Sequence, residues 1–176
     1  FVFTAIIDSF RPVIFESKKV SQQKFEKDMS LLYSIIIYMG LVQSIVLTLL
    51  ARPIVNIIYG EAYIAAIPLL QIITWYSSFS YMGSIRNIWM LAEDKQKYLW
   101  IINMSGAGLN VIGNYILISM MGAMGAAIAS LLTQFFTNFL LCFFIKPIKP
   151  TVNLIGRALN PKFLFGMLKL TKKRHD

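Results

Sequence analysis

Tyr98–Ile145 reads YLWIINMSGAGLNVIGNYILISMMGAMGAAIASLLTQFFTNFLLCFFI, 48 residues without a single Asp, Glu, Lys or Arg. A helix crossing the hydrocarbon core of a bilayer, roughly 30 Å thick, needs about 20 mainly apolar residues. This run therefore has room for two such helices. Met121-Gly122-Ala123-Met124-Gly125 divides it, and its two glycines permit a tight turn. Toward the N-terminus, Ala62–Ile85 is another charge-free window, 24 residues between Glu61 and Arg86. Met29–Ala51 is a third, 23 residues between Asp28 and Arg52. Together the windows predict four membrane spans, Met29–Leu50, Ala65–Ile85, Tyr98–Met120 and Gly125–Ile145.

Only 14% of the 176 residues are charged, against the quarter typical of soluble domains. A soluble surface could not be wetted with so little charge, so the predicted fold class is all-α, a polytopic transmembrane helix bundle. Phe1–Phe15 (FVFTAIIDSFRPVIF) reads as the end of a preceding span, interrupted by Asp8 and Arg11 and followed by a kink at Pro12. Asp8 and Arg11 are spaced i, i+3 and can pair on one helical face. Two readings are open for Arg11: it holds an anionic substrate group, or it forms an ordinary ion pair near the membrane surface. Phe1 is not an initiator methionine, and an N-terminally incomplete chain is expected.

Ser17–Asp28 (SKKVSQQKFEKD) is expected to be a polar connector, and Pro147 and Pro150 to stop the fourth helix. Residues 1–146 thus form the transmembrane region and 147–176 a basic cytoplasmic tail. Within the tail, Asn153–Leu170 mixes apolar residues with Arg157, Lys162 and Lys169, which predicts an interfacial segment on the inner membrane surface.

The net charge of +9 is distributed by connecting segment. Five Lys and Arg precede the first span, then one, three and none lie in successive loops, and eight follow the fourth span. Basic residues concentrate on the cytoplasmic side of short loops. The alternation predicts four crossings with both ends cytoplasmic, and it accounts for the positive charge without nucleic acid.

Each span carries a polar or small-residue stripe at helical spacing: Gly40, Ser44 and Thr48; Gln71, Thr74, Ser78 and Tyr81; Asn103, Gly106, Asn110 and Asn114; Ala126, Ser130, Thr133 and Thr137, flanked by Gln134 and Asn138. Lipid offers these groups no partner, so they face other helices or water. Helix packing alone and a partly hydrated translocation cavity both fit. No carboxylate lies deep in a span, which suits a polar passage better than a cation site. His175 is the only histidine and sits in the charged tail, Cys142 is the only cysteine, and no phosphate-binding glycine loop is present. No metal, no cofactor and no enzymatic activity are expected.

Two stretches resemble a known family. Ala51–Tyr63 (ARPIVNIIYGEAY) with Ala65–Ile72 (AAIPLLQI), and Leu109–Ile118 (LNVIGNYILI) with Gly122–Ser130 (GAMGAAIAS), are similar to elements of bacterial polysaccharide-biosynthesis exporters. These are the O-antigen, or lipid-linked oligosaccharide, flippases of the multidrug/oligosaccharidyl-lipid/polysaccharide (MOP) exporter superfamily, whose relatives include the MATE transporters. The resemblance covers about Phe1 to Lys146 and implies the end of one span plus the last four of a C-terminal lobe. It implies export of an undecaprenyl-diphosphate-linked O-antigen or capsule repeat unit across the bacterial inner membrane. Membrane lipid, the remainder of the transporter, a polysaccharide polymerase and a chain-length regulator are the implied partners. Arg11 and Arg86 are then the candidates for the diphosphate, with Gln71, Asn103, Asn110, Asn114 and Gln134 lining a cavity or a packing seam. A cation-coupled drug antiporter of the same superfamily and a non-transporting membrane scaffold are the competing readings.

Overall fold

The computed structural model describes residues 1–164 and Gly166, and no strand occurs among them. The α-helices through Ala158 are, in order, α1 (Val2–Val20), α2 (Gln22–Tyr59), α3 (Ile67–Ala92), α4 (Leu99–Met121), α5 (Ala123–Phe135), α6 (Leu141–Phe144) and α7 (Pro150–Ala158). A π-helical turn, Phe136–Leu140, links α5 to α6 within one rod. Among the described residues four stretches are long and apolar enough to cross a membrane: Gln22–Tyr59, Glu61–Ala92, Gln96–Met121 and Ala123–Phe144. Each corresponds to one predicted span.

Helix ends depart from the expectation because hydropathy marks where a helix can meet lipid, not where its hydrogen-bond ladder stops. Ser17–Asp28 is not a connector. Its first residues finish α1 and its last begin α2, with a single extended residue, Ser21, between them. Ser21 caps α2, its Oγ accepting from the Lys24 amide at 3.2 Å. Pro12 lies inside α1, which runs on to Val20, and Arg52-Pro53 lie inside α2 instead of in a loop. α3 continues seven residues past the predicted end at Ile85, which carries Arg86 into the helix. In the α4–α5 hairpin only Gly122 makes the turn, at φ +58, a backbone region disfavoured for residues with a Cβ. Gly125 is already in α5, where its role is close packing.

α2 and α3 pack side by side, α5 joins the far side of α3, and α4 covers α5. α1 lies against α2 and α3. The apolar core sits where α1, α2, α3 and α7 meet and includes Ile14, Phe25, Met29, Tyr33, Trp89 and Leu154, all 2% exposed or less. Elsewhere the outer faces stay apolar and uncovered, as at Val42, Ile45 and Leu49 of α2 and Val111, Ile112 and Tyr115 of α4. Such faces are what a lipid-embedded helix presents, since tails solvate them as well as a protein core does.

One end of the bundle gathers the ionic groups. Lys18 pairs with Glu93, Gln22 donates to Glu93 at 3.2 Å, and Arg157 pairs with Glu26 at 3.3 Å. These contacts bring the α1–α2 junction, the α3–α4 loop and α7 together, as the charge alternation requires. Phe3 stacks on Tyr81 at 4.5 Å between ring centroids, so the first residues lie beside the middle of α3. α1 spends its length running from there to the ionic end. Of the expected interfacial segment, α7 packs Thr151, Leu154, Ile155 and Ala158 against the bundle and leaves Asn153 and Arg157 exposed. Ser34 Oγ donates to Ala158 O and Tyr38 Oη to Leu159 O, both at 2.9 Å, and these bonds tie its C-terminal end to α2. Lys169, Lys172, Lys173, Arg174 and His175 lie outside the described residues.

This arrangement predicts a labelling pattern. In a variant without Cys142, a membrane-impermeant thiol reagent should reach Ser21→Cys and Lys95→Cys from one side of the membrane and Gly122→Cys only from the other. Labelling of all three from one side contradicts the fold.

Candidate functional site

The polar stripes divide into two kinds of contact. Those of α2 and the first half of α3 close on each other. Ser78 Oγ donates to Gly40 O at 3.1 Å and lies 2.9 Å from Ser44 Oγ, while Gln71 Nε2 donates to Thr48 O at 3.1 Å. Gln71 is therefore a packing residue. Its amide satisfies a backbone carbonyl that lipid could not.

The stripes of α4 and α5 behave differently. Gly106 and Gly113 let the helices approach, with an added Cβ falling 2.8 Å from Thr137 Cγ2 and 3.3 Å from Ala129 Cβ. Asn110 Nδ2 donates to Thr133 Oγ1 at 3.4 Å, and Asn114 Nδ2 to Asn110 Oδ1 at 2.9 Å. Beside this pair, α3 stands off and leaves a cleft of about 470 Å³ between α3, α4 and α5. Tyr76, Ser80, Ser84 and Asn87 line it from α3, Asn103 and Asn110 from α4, and Gln134 from α5.

Arg86 is the one charged group in this wall, and it is 4% exposed. Nη1 donates to Thr137 O at 2.6 Å and to Asn138 Oδ1 at 3.0 Å, and Nη2 to Asn87 Oδ1 at 3.3 Å. The π-helical turn makes the first bond available. There the Leu141 amide bonds Phe136 O, five residues back, and does not compete for Thr137 O. Gly83 makes room for the second, since a Cβ at that position would fall 2.4 Å from Asn138 Oδ1. Asn138 is held in turn by Gln134, whose own Nε2 lies 3.4 Å from Tyr76 Oη. Every acceptor that Arg86 meets is neutral. Among the described residues no carboxylate lines the cleft, Arg86 joins no ion pair, and its Nε is buried without a partner.

A buried guanidinium bonded only to neutral acceptors keeps its full positive field, because dipoles orient it without cancelling its charge. Six residues, about 9 Å of helix, separate it from the ionic end of α3. Around it stand hydroxyls and amides that both donate and accept. The cleft can therefore take a group that is anionic at one point and rich in hydroxyls elsewhere.

Of the sequence-predicted residues, the structure brings Arg86, Asn103, Asn110 and Gln134 into this cleft. Asn114 supports it through Asn110. Arg11 does not reach it: its side chain is half exposed on α1 and pairs with Asp8 at 3.3 Å. Arg86, expected at a helix end, lies instead well inside α3. Tyr76, Ser80, Ser84 and Asn87 were missed. They recur at helical spacing on a second polar face of α3, a signal as regular as the Gln71–Thr74–Ser78–Tyr81 face that was chosen. Comparison with protein-family models, with curated protein sequences and with solved structures finds no match to the chain.

Proposed function

We propose that the chain is part of a transporter that moves a lipid-linked oligosaccharide, an undecaprenyl-diphosphate-linked O-antigen or capsule repeat unit, across the bacterial inner membrane. The observation that carries this reading is the cleft around Arg86, a cation without a counter-ion in a wall of hydroxyls and amides. The sugars of such a substrate offer hydroxyls to Tyr76, Ser80, Asn103 and Gln134, and the diphosphate offers charge to Arg86 through strong, charge-assisted bonds. The isoprenoid tail remains in lipid. The described lining offers hydroxyls, amides and one cation, which suits this cargo better than a cation-coupled drug antiporter's. The remainder of the transporter, a polymerase and a chain-length regulator are the proposed partners.

The test is made in the source cells with the full-length protein. Deleting the gene should leave the lipid-linked repeat unit on the cytoplasmic leaflet and remove the glycan from the surface, and the intact gene should restore both. Normal display in the deletion strain rejects the reading.

A further inference from the structure

On the other side of α3 from the polar cleft runs a second depression of opposite character. Its deep part, about 230 Å³, is walled by Ile37 and Leu41 of α2, Trp75 and Met82 of α3, and Phe139 and Leu159. The one polar side chain there, Ser78, spends its hydroxyl on Gly40 O and Ser44. Water would find no partner inside. Phe139, Ile155 and Leu159 also wall a smaller cavity of about 100 Å³, which Val152 and Gly156 close from above. Val152 and Gly156 in turn line a wider, shallower hollow whose polar members are Asn153, Arg157 and Asn160. The three spaces are neighbours through shared lining residues, and polarity falls along the series from a hollow with a cationic rim on α7 to an apolar floor between spanning helices.

The polarity along that series is the polarity of a phospholipid. The Tyr38 bond to Leu159 O sets the apolar half beside α2, within the first of the stretches long and apolar enough to cross a membrane. Arg157 supplies the rim with charge. Its Nη1 reaches Glu26 at 3.3 Å, its side chain is more than half exposed, and among the described residues its other guanidinium hydrogens meet no acceptor. The polar cleft cannot share this occupant, because the α3–α5 contact lies between them, with Phe79 and Phe135 in edge-on contact at 5.2 Å.

We propose that this groove is a binding site for one anionic phospholipid, its phosphate at Arg157 and one acyl chain running past Gly156 to Leu159 and Phe139. The lipid completes the seam between α7 and the spans and so holds α7 against the bundle. The site depends only on the helices' lying in a bilayer, and it stands whether or not the transport reading does.

Gly156 gives a clean test. A Cβ there meets nothing within 4 Å, and Gly156 lines both the outer hollow and the smaller cavity, so Gly156→Phe is expected to obstruct the groove while the fold is kept. Gly108, on the exposed side of α4, has equally open space and serves as the matched control. The intact protein and both variants are purified in mild detergent, mixed with phosphatidylglycerol or phosphatidylcholine of identical chains, and examined by native mass spectrometry. The intact protein and Gly108→Phe should each retain one phosphatidylglycerol, roughly tenfold more than phosphatidylcholine under the same conditions. Gly156→Phe should lose the adduct, and Arg157→Gln should lose the preference for the anionic headgroup. Equal retention of the two lipids by the intact protein, or an adduct that survives in Gly156→Phe, overturns the proposal.

Discussion

Arg86→Gln is expected to leave the protein folded and to lower surface display of the glycan by tenfold or more. Two stability terms oppose each other at this site. Loss of the guanidinium removes donors from Thr137 O and Asn138 Oδ1, and a buried acceptor left bare costs about 1–3 kcal/mol. Against this, a cation within a membrane helix costs roughly 2.5–3.5 kcal/mol, which the neutral variant no longer bears. Glutamine also keeps an amide that can donate to one of the two acceptors. The terms nearly cancel, and the melting temperature in detergent should move by only a few degrees. The interaction with a diphosphate has no such compensation. Arg86→Lys, which keeps the charge as a single point without the forked donors, should recover part of the display. Unchanged display in Arg86→Gln would remove the cleft from the mechanism.

Gly125→Ala should produce the largest loss of stability of any single methyl group added to the bundle. Its Cβ would fall 1.9 Å from Leu117 O and 2.3 Å from Leu117 C. Both are backbone atoms of α4, so no rotamer change relieves the overlap, and the α4–α5 hairpin must open. Overpacking of this kind costs 1–3 kcal/mol when side chains can yield, and here they cannot. About 3 kcal/mol or more is the expectation, equivalent to a fall in melting temperature of roughly 6–12 °C for a domain of this size. Gly108→Ala adds the same methyl group to α4 where nothing lies within 4 Å, and should raise stability by up to about 1 kcal/mol through helix propensity. Thermal unfolding of the two variants, followed by retention of a monodisperse peak in size-exclusion chromatography, measures the contrast directly. Equal melting temperatures would mean that the α4–α5 approach is not as close as described.

Some of the site was legible before the fold was known. Asn103, Asn110 and Gln134 belong to regular polar stripes on otherwise apolar helices, and lipid would leave any of them without partners. Arg86 closed a charge-free window, which drew attention to it but suggested a loop boundary. Its burial depends on a distant π-helical turn that frees Thr137 O, and on Gly83, one helical turn before it, which makes room for Asn138. The first is not visible in the residues around Arg86, and the second shows a gap without showing which side chain fills it. α3 also carries two polar faces, and only the neighbours on each side distinguish them. One meets Gly40, Ser44 and Thr48 and closes into a seam, while the other meets α4 and α5 across an open cleft.

What the amino-acid order alone determined is the all-helical class, the four stretches long and apolar enough to cross a membrane, and the alternation of basic residues between the connections. The cost of moving a charge into hydrocarbon is paid residue by residue and sums along the chain, so a linear scan can read it. Tertiary structure alone decided which polar face lines the cleft, that Arg86 is buried and without a counter-ion, and that α7 turns back along α2. Those outcomes depend on which helices become neighbours, and a helix's periodicity records that a face needs a partner without recording which partner it finds.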